Sequence, residues 1–129
     1  MNLLLDTNAL VWASDERKGK SLGKHALRLI ENCDLVYFSA LSLAELQIKS
    51  MTGKLKNIPD VEKARLKGFL AMSFKAEHAQ AIDNFPSLIH HDPFDRMILA
   101  QAWSERLTLL TADQLLLDLG FSYVVDARE

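Results

Sequence analysis

The sequence predicts a single α/β domain, covering residues 1–129, in which helices flank a central, mostly parallel sheet. Short apolar runs alternate with longer segments of helical periodicity, which is typical of chains that add a helix after each strand. A length of 129 residues suits one hydrophobic core. The composition, 49% hydrophobic and 25% charged with five glycines and three prolines, is that of a folded globular protein.

The short apolar runs are predicted to be the strands of this sheet. They lie near Asn2 to Leu5, Leu35 to Phe38, Ala71 to Phe74, Leu107 to Leu110, and Tyr123 to Val125. Each run has the length and apolar character of a strand bounded by turn or helix signals.

The segments between the strands show helical spacing, with apolar residues at i, i+3, i+4 or i+7. Two such stripes are formed by Ala26, Leu27 and Ile30, and by Leu41, Ala44 and Ile48. Further helices are predicted from Pro93 to about Arg106 and, for a short stretch, after Thr111. The segment Met51 to Asp60 contains Gly53 and Pro59 and is predicted to be a loop between two helices.

Cysteine usage and hydropathy indicate the cellular compartment. Cys33 is the single cysteine and cannot form an internal disulfide, and the first residues do not have the pattern of a secretory signal. No apolar stretch approaches the roughly 18–20 residues that cross a bilayer. We therefore expect a cytoplasmic protein that does not span a membrane.

The charge balance argues against a general attraction for nucleic acid. The net charge is −2, whereas proteins that bind phosphates cluster their Lys and Arg residues. Two local basic stretches are present, formed by Arg17, Lys18, Lys20 and Lys24, and by Lys49, Lys54 and Lys56. Charge runs are more often solvated surface than binding sites. Any binding of nucleic acid is expected to be local.

Four acidic residues follow the predicted strands or lie in the helices that those strands enter. Asp6 comes directly after the first strand, and Asp113 follows the fourth. Glu45 lies in the helix after the second strand, and Asp95 lies in the first turn of the late helix. Ligands of open parallel sheets bind at the carboxyl ends of the strands. These four acids are therefore the candidate site.

Capping offers a structural explanation for the acids taken one at a time, because carboxylates are favoured at helix N-termini. Asp6, Thr7 or Asn8 would cap the helix after the first strand. Asp92 precedes Pro93 and has the pattern of a cap with proline in the first helical position.

Two capping boxes are also predicted from spacing, in which a residue at the third helical position returns to the cap. Ser42 with Glu45 forms one, and Thr111 with Gln114 forms the other. This interpretation leaves Asp113 and Asp95 without a structural role.

Taken together, the acids require a counter-charge. Parallel connectivity gathers residues that are distant in sequence, and neighbouring carboxylates do not all stay ionised without a proton or a cation. Only Arg96 adjoins one of the acids, Asp95, and consecutive helical residues point about 100° apart. Oxygen ligands suit Mg2+ or Mn2+ better than zinc. The sequence therefore predicts a divalent metal site.

Four segments of the chain resemble the PIN-domain nucleases, specifically the VapC-like toxins of bacterial toxin–antitoxin pairs. They are Leu3-Leu4-Leu5-Asp6-Thr7-Asn8, Ser39-Ala40-Leu41-Ser42-Leu43-Ala44-Glu45-Leu46, His90-His91-Asp92-Pro93-Phe94-Asp95-Arg96-Met97-Ile98-Leu99-Ala100-Gln101-Ala102, and Leu109-Leu110-Thr111-Ala112-Asp113. The resemblance covers essentially the whole chain, and the order and spacing of the segments carry it.

The resemblance implies a three-layer fold, an acidic pocket that binds Mg2+ or Mn2+, and endoribonuclease activity on an RNA substrate. It also implies a cognate antitoxin that restrains the activity, and a homodimer. The catalytic and metal-binding acids of the family fall on Asp6, Glu45, Asp95 and Asp113. Asp92 would assist from outside the immediate ligands, and Thr7, Asn8 and Thr111 would orient water or phosphate.

Two pairs of residues remain open at this stage. His90 and His91 are interpreted either as phosphate contacts or as an exposed loop pair, and not as bases. Trp12 and Trp103 fit apolar stripes and are expected in the core or at a dimer contact rather than stacked on RNA bases.

Two other functions compete with the nuclease. An aspartyl-phosphate phosphotransfer domain also places an Asp after the first strand, but a related phosphatase would have a second Asp at the position of Asn8. A non-catalytic binding module with the same fold would keep an acidic pocket without activity; intact acids at all four positions argue against it.

Overall fold

The computed structural model describes residues 1–15, 21–53 and 61–129. Five of the basic residues considered above, Arg17, Lys18, Lys20, Lys54 and Lys56, lie outside the described residues, as does most of the predicted loop from Met51 to Asp60. Within the described part, α3 continues through Met51 before a short turn.

Five strands form the sheet. They are β1 (Asn2–Leu5), β2 (Leu35–Ser39), β3 (Leu70–Met72), β4 (Thr108–Thr111) and β5 (Val124–Asp126). Their order across the sheet is β3-β2-β1-β4-β5, and every pair of neighbours is parallel. The predicted fold class, an α/β domain with a parallel sheet, is confirmed.

Seven helices surround the sheet in the described part of the chain. They are α1 (Thr7–Ser14), α2 (Lys24–Asn32), α3 (Ala40–Met51), α4 (Val61–Leu66), α5 (Ala76–Ala81), α6 (Pro93–Glu105) and α7 (Gln114–Asp118). Two 3-10 turns, Ile82–Asn84 and Pro86–Leu88, connect α5 to the segment before α6. None of these helices combines the length and apolar character needed to cross a lipid bilayer.

The sheet separates two apolar clusters, which gives the three-layer architecture that the resemblance implies. Side chains of adjacent strand residues point to opposite faces, and β1 accordingly contributes Leu3 and Leu5 to one cluster and Leu4 to the other. The first cluster includes Ala9 of α1, and the second includes Ile98 of α6.

The bounds of four strands, β2, β3, β4 and β5, differ by one or two residues from the predicted ones. β4 begins one residue later than predicted because Arg106 ends α6 in the left-handed conformation and the Leu107 amide still bonds to the helix. β3 ends at Met72, and the carbonyl of Ser73 accepts a hydrogen bond from Gln101 of α6 instead. β5 runs one residue further, to Asp126.

Candidate metal centre

The strand order creates a crevice at the carboxyl edge of the sheet. β1 lies between β2 and β4, so the chain leaves β1 toward one side and later returns on the other. Such a reversal opens a space between the loops that follow the two central strands. The backbone amide of Asp6 bonds to the carbonyl of Leu110 at 3.0 Å, which holds the ends of β1 and β4 together at this point.

Asp6 is buried in the floor of this crevice, with 4% of its surface exposed. Its Oδ1 accepts a hydrogen bond from the Ala9 amide at 2.8 Å, and its Oδ2 accepts one from the Thr111 hydroxyl at 2.5 Å. Burial raises the pKa of Asp6 to about 6, although these hydrogen bonds and one from Ala112 act in the opposite direction. Of the three residues predicted as possible caps of α1, Asp6 is the one that caps it, and it is also a buried acid whose uncharged form is favoured.

Asp95 and Asp113 form a second part of the cluster. Burial, followed by the hydrogen bond to Asp113 and the charges of Asp113, Asp92 and Asp6, raises the pKa of Asp95. Burial also acts to raise the pKa of Asp113, but hydrogen bonds from Asp95, from the Leu116 amide and from His91 outweigh it and lower that pKa. The pKa values of this pair are thus shifted in opposite directions, and Asp95 is the acid whose uncharged form is favoured.

Glu45 approaches the crevice from α3. It is buried, and its Oε2 lies 3.3 Å from Nζ of Lys49, one helical turn further on. Its Oε1 is buried and has no hydrogen-bond partner among the described residues. A buried carboxylate oxygen without a partner is costly, and a cation in the crevice would offset that cost.

These acids line one cavity of about 220 Å³. Its lining residues are Asp6, Thr7, Asn8, Glu45, Lys49, Asp92, Asp95, Ala112 and Asp113. The structure thus brings all four predicted acids together, with Asp92, Thr7 and Asn8 around them. Thr111 does not line the cavity, but its hydroxyl bonds to Asp6.

Asp92 and Asp95 both line the cavity but differ in what their side chains contact. The side chain of Asp92 is turned back to its own helix, where it accepts hydrogen bonds from the amides of Phe94 and Asp95 at 2.9 and 3.3 Å. The predicted cap is therefore confirmed, whereas a carboxylate oxygen of Asp95 lies within 4.8 Å of one on Asp113.

Both predicted capping boxes are wrong. α3 begins directly after β2, so Ser39 is its cap and accepts a hydrogen bond from the Leu41 amide at 3.0 Å. Ser42 lies within the helix and instead accepts a hydrogen bond from the Thr7 hydroxyl at 3.0 Å.

In the other box, the cap of α7 is Asp113 rather than Thr111. Asp113 Oδ1 accepts a hydrogen bond from the Leu116 amide at 3.2 Å. The Thr111 hydroxyl accepts one from the Asp113 amide and donates to Asp6. Thr111 thereby links the two acids that follow β1 and β4.

The sequence left His90 and His91 open between phosphate contacts and an exposed loop pair, and the structure separates the two. His90 is exposed, but only 11% of the His91 side chain is, and its Nε2 lies 3.1 Å from Asp113 Oδ2. The same atom is 3.7 Å from Asp95 Oδ2. The spacing of four residues between His91 and Asp95, like that between Glu45 and Lys49, was the available signal.

The two tryptophans lie away from the acids. Trp12 packs, half-buried, against the apolar cluster that contains Leu3 and Ala9. Trp103 is 47% exposed and contacts Phe85 edge to face.

The donor atoms of the cavity suit a hard divalent cation. The cluster has several carboxylates, one unpartnered oxygen on Glu45, and an acid, Asp95, whose pKa is raised by burial and by its acidic neighbours. A cation would offset the repulsion among the carboxylates and would favour the ionised form of Asp95. Oxygen donors in this number are those that Mg2+ or Mn2+ binds.

Comparisons with known proteins agree with this architecture. The family model described as the PIN domain matches residues 3–121. No curated protein matches the sequence. The fold is similar to that of VapBC2 from Rickettsia felis bound to a DNA fragment from its promoter, with 20% identity, 98% of each chain covered and a TM-score of 0.66.

Two further solved structures have the same fold. DNA-bound VapBC from Salmonella typhimurium is 18% identical, with 98% of each chain covered and a TM-score of 0.65. VapC20 from Mycobacterium tuberculosis, a toxin that cleaves the sarcin-ricin loop, is 19% identical over 95% of this chain and 98% of that chain, with a TM-score of 0.55.

Proposed function

Because this chain belongs to the PIN domain family, we propose that it is a metal-dependent endoribonuclease and the toxin of a toxin–antitoxin pair. The observation that carries the proposal is the convergence of Asp6, Glu45, Asp95 and Asp113 from four separate parts of the chain into one cavity. The similar folds of toxins in VapBC complexes support the biological role.

Asp6, Asp95 and Asp113 would hold the cation, with Glu45 binding directly or through water. When bound, Mg2+ or Mn2+ lowers the pKa of a water molecule and stabilises negative charge on a phosphate that is being attacked. The protein itself holds the carboxylates in position through hydrogen bonds. Thr111 and the Ala9 amide orient Asp6, and the Leu116 amide orients Asp113.

In this proposal, Lys49 and Asn8 would contact the substrate. Both line the cavity, Asn8 is exposed, and the side chain of Lys49 is 45% exposed. Since the net charge of the chain is −2, attraction for an RNA phosphate has to come from such local groups. Single-stranded or looped RNA is the form in which bases and backbone are accessible.

The proposal includes the remaining partners. A cognate antitoxin would restrain the enzyme by placing a basic side chain, such as an arginine, against the carboxylates of the cavity. We also propose a cytoplasmic location and a homodimer. A monomer at micromolar concentration in solution would contradict the dimer.

The test is cleavage of a mixed pool of structured and unstructured RNAs with Mg2+, with Mn2+ and with EDTA. We expect cleavage with either metal, none with EDTA, and none with Asp6→Asn. Asp83→Asn is the matched control, because Asp83 is exposed and does not line the cavity. Cleavage that persists in a pure Asp6→Asn preparation, or in EDTA, would contradict the proposal.

The aspartyl-phosphate alternative receives no support from the geometry. Both carboxylate oxygens of Asp6 accept hydrogen bonds, and the side chain is buried, which disfavours attack on phosphorus by this group. A stable beryllofluoride adduct that depends on Asp6 would favour the alternative.

A further inference from the structure

We infer that His91 is itself a ligand of the cation, and that its nitrogen makes the site prefer Mn2+ to Mg2+. The inference rests on the proposed function and deepens it by adding a residue that the four-acid pattern does not contain. His91 Nε2, Asp95 and Asp113 each offer one ligand atom, and these atoms all lie within 4.8 Å of one another.

The distances within this group match those around a single ion. Metal–oxygen bonds of about 2.1 Å at right angles put neighbouring ligand atoms about 3 Å apart. His91 Nε2 lies 3.1 Å from Asp113 Oδ2 and 3.7 Å from Asp95 Oδ2. Small rotations of the side chains would bring the three atoms around one cation.

A second cluster also consists of one histidine and two carboxylates, and it shows what prevents a histidine from binding a metal through Nε2. Glu77, His78 and Glu105 also lie within reach of one another. The backbone amide of Lys75, however, donates to Nδ1 of His78 at 3.0 Å, so the proton of the neutral ring must sit on Nε2, which contacts Glu105 at 2.7 Å. Nε2 of His78 therefore has no lone pair for a metal.

His91 is free of this constraint. Before a cation binds, Nε2 of His91 faces Asp113 as a hydrogen-bond donor. In the part of the chain that the structure describes, no backbone amide donates to its Nδ1, so the ring can hold its one proton on Nδ1 once a cation binds and offer the lone pair of Nε2 to that cation. The His91 side chain is only 11% exposed, and its Nε2 lies beside Asp113 and Asp95.

The element preference follows from the ligand type. Mg2+ prefers oxygen ligands and gives up its water reluctantly, whereas an imidazole nitrogen is a good ligand for the transition metals. Replacing one oxygen donor by nitrogen therefore strengthens Mn2+ binding more than Mg2+ binding.

The test measures the metal rather than activity. Calorimetric titration of Mn2+ and of Mg2+ is compared for the unmodified protein, His91→Ala and the matched control His90→Ala, an exposed neighbour. We expect His91→Ala to weaken Mn2+ binding by at least about tenfold, to change Mg2+ binding by less than about threefold, and His90→Ala to change neither.

Pulsed electron paramagnetic resonance of bound Mn2+ then identifies the ligand directly. We expect nitrogen modulation from a coordinated imidazole in the unmodified protein and in His90→Ala, and its loss in His91→Ala. His91→Gln, which keeps a polar side chain, serves the same comparison if the alanine variant does not fold.

Two outcomes would overturn the inference while leaving the proposed function intact. One is bound Mn2+ without nitrogen modulation, and the other is an equal loss of Mn2+ and Mg2+ affinity in His91→Ala, which would make His91 a positioning residue. If the unmodified protein binds neither metal, the proposed function fails as well.

Discussion

At the scale of single residues, the cavity holds acids in places that favour their uncharged forms. The pKa of Asp6 is raised from its ordinary value of 3.8 to about 6 in the folded protein, chiefly by burial. Between pH 3.8 and about 6, the folded state therefore retains a proton on Asp6 that the unfolded chain has lost. Loss of that proton at higher pH lowers the free energy of unfolding.

The first prediction concerns the pH dependence of stability in EDTA. Because the pKa of Asp6 is raised in the folded state, folding favours the protonated form of this side chain. The stability that it contributes is therefore fully present below pH 3.8 and is lost as the pH rises through about 6. We expect the free energy of unfolding to fall over this window by up to ~3 kcal/mol from this group. Urea unfolding at a series of pH values measures it.

Asp6→Asn provides the control for that prediction. Asn keeps an oxygen to accept the Ala9 amide and does not ionise, so the variant should lose much of the fall in stability between pH 4 and 6. The same loss of stability in the variant as in the unmodified protein would show that Asp6 is not the responsible group.

At the scale of the elements, the clearest periodic segments were predictable, and the shortest were not. β1 is short, but its apolar run from Leu3 to Leu5 is uninterrupted, and α6 has 13 residues with Asp92-Pro93 marking its start. α5 has six residues and no apolar stripe that a sequence could reveal, and the His78 side chain that bonds to the Lys75 amide helps to define its start. The capping boxes failed because spacing alone does not fix where a helix begins.

The start of α2 gives the second prediction. The Gly23 amide bonds to the Ala127 carbonyl, and the Ala26 amide bonds to the Glu129 carbonyl, both at 2.9 Å. A Cβ on Gly23 would lie 2.0 Å from the carbonyl carbon of Glu129, which is backbone and has to move. We expect Gly23→Ala to lower the free energy of unfolding by about 1–3 kcal/mol in a urea titration.

Lys24→Ala is the neighbouring control for this variant. Lys24 is exposed in the same helical turn, and its removal should change stability by less than about 0.5 kcal/mol. Equal stability of Gly23→Ala and the unmodified protein would show that residues 127–129 do not pack on α2 in solution.

At the scale of the whole molecule, topology explains why the four acids could be predicted as a group. The carboxyl ends of parallel strands share one edge, so Asp6 and Asp113 were expected at the same edge once the parallel sheet was recognised. They meet because β1 and β4 are neighbours, an order that the sequence did not predict. The partners of those acids could not be assigned in the same way. Whether His91 turns toward Asp113 or toward solvent depends on how the turn before α6 packs, which one sequence does not determine.

The third prediction concerns the charge of the cavity as RNA meets it. Lys49 is the one cation among the described residues that line the cavity. In the Asp6→Asn background, which we expect to bind RNA without cleaving it, Lys49→Gln should weaken RNA binding and reduce the slope of log K against log salt by about 0.7, the value for one phosphate contact on a single strand. Fluorescence anisotropy over a range of salt concentrations measures both.

Lys24→Gln is the charge-matched control, since Lys24 is exposed on α2 and does not line the cavity. An unchanged slope in Lys49→Gln would mean that this lysine pairs with Glu45 and does not contact RNA.

The unpartnered oxygen of Glu45 and the raised pKa of Asp6 have a consequence for the lifetime of the protein. A chain that carries uncompensated buried acids unfolds more often, and unfolded chains are the substrates of proteases. Any ligand that neutralises the crevice selectively populates the folded state by mass action. Metal supply and antitoxin supply would then set not only how active the molecule is, but also how long each copy of it survives.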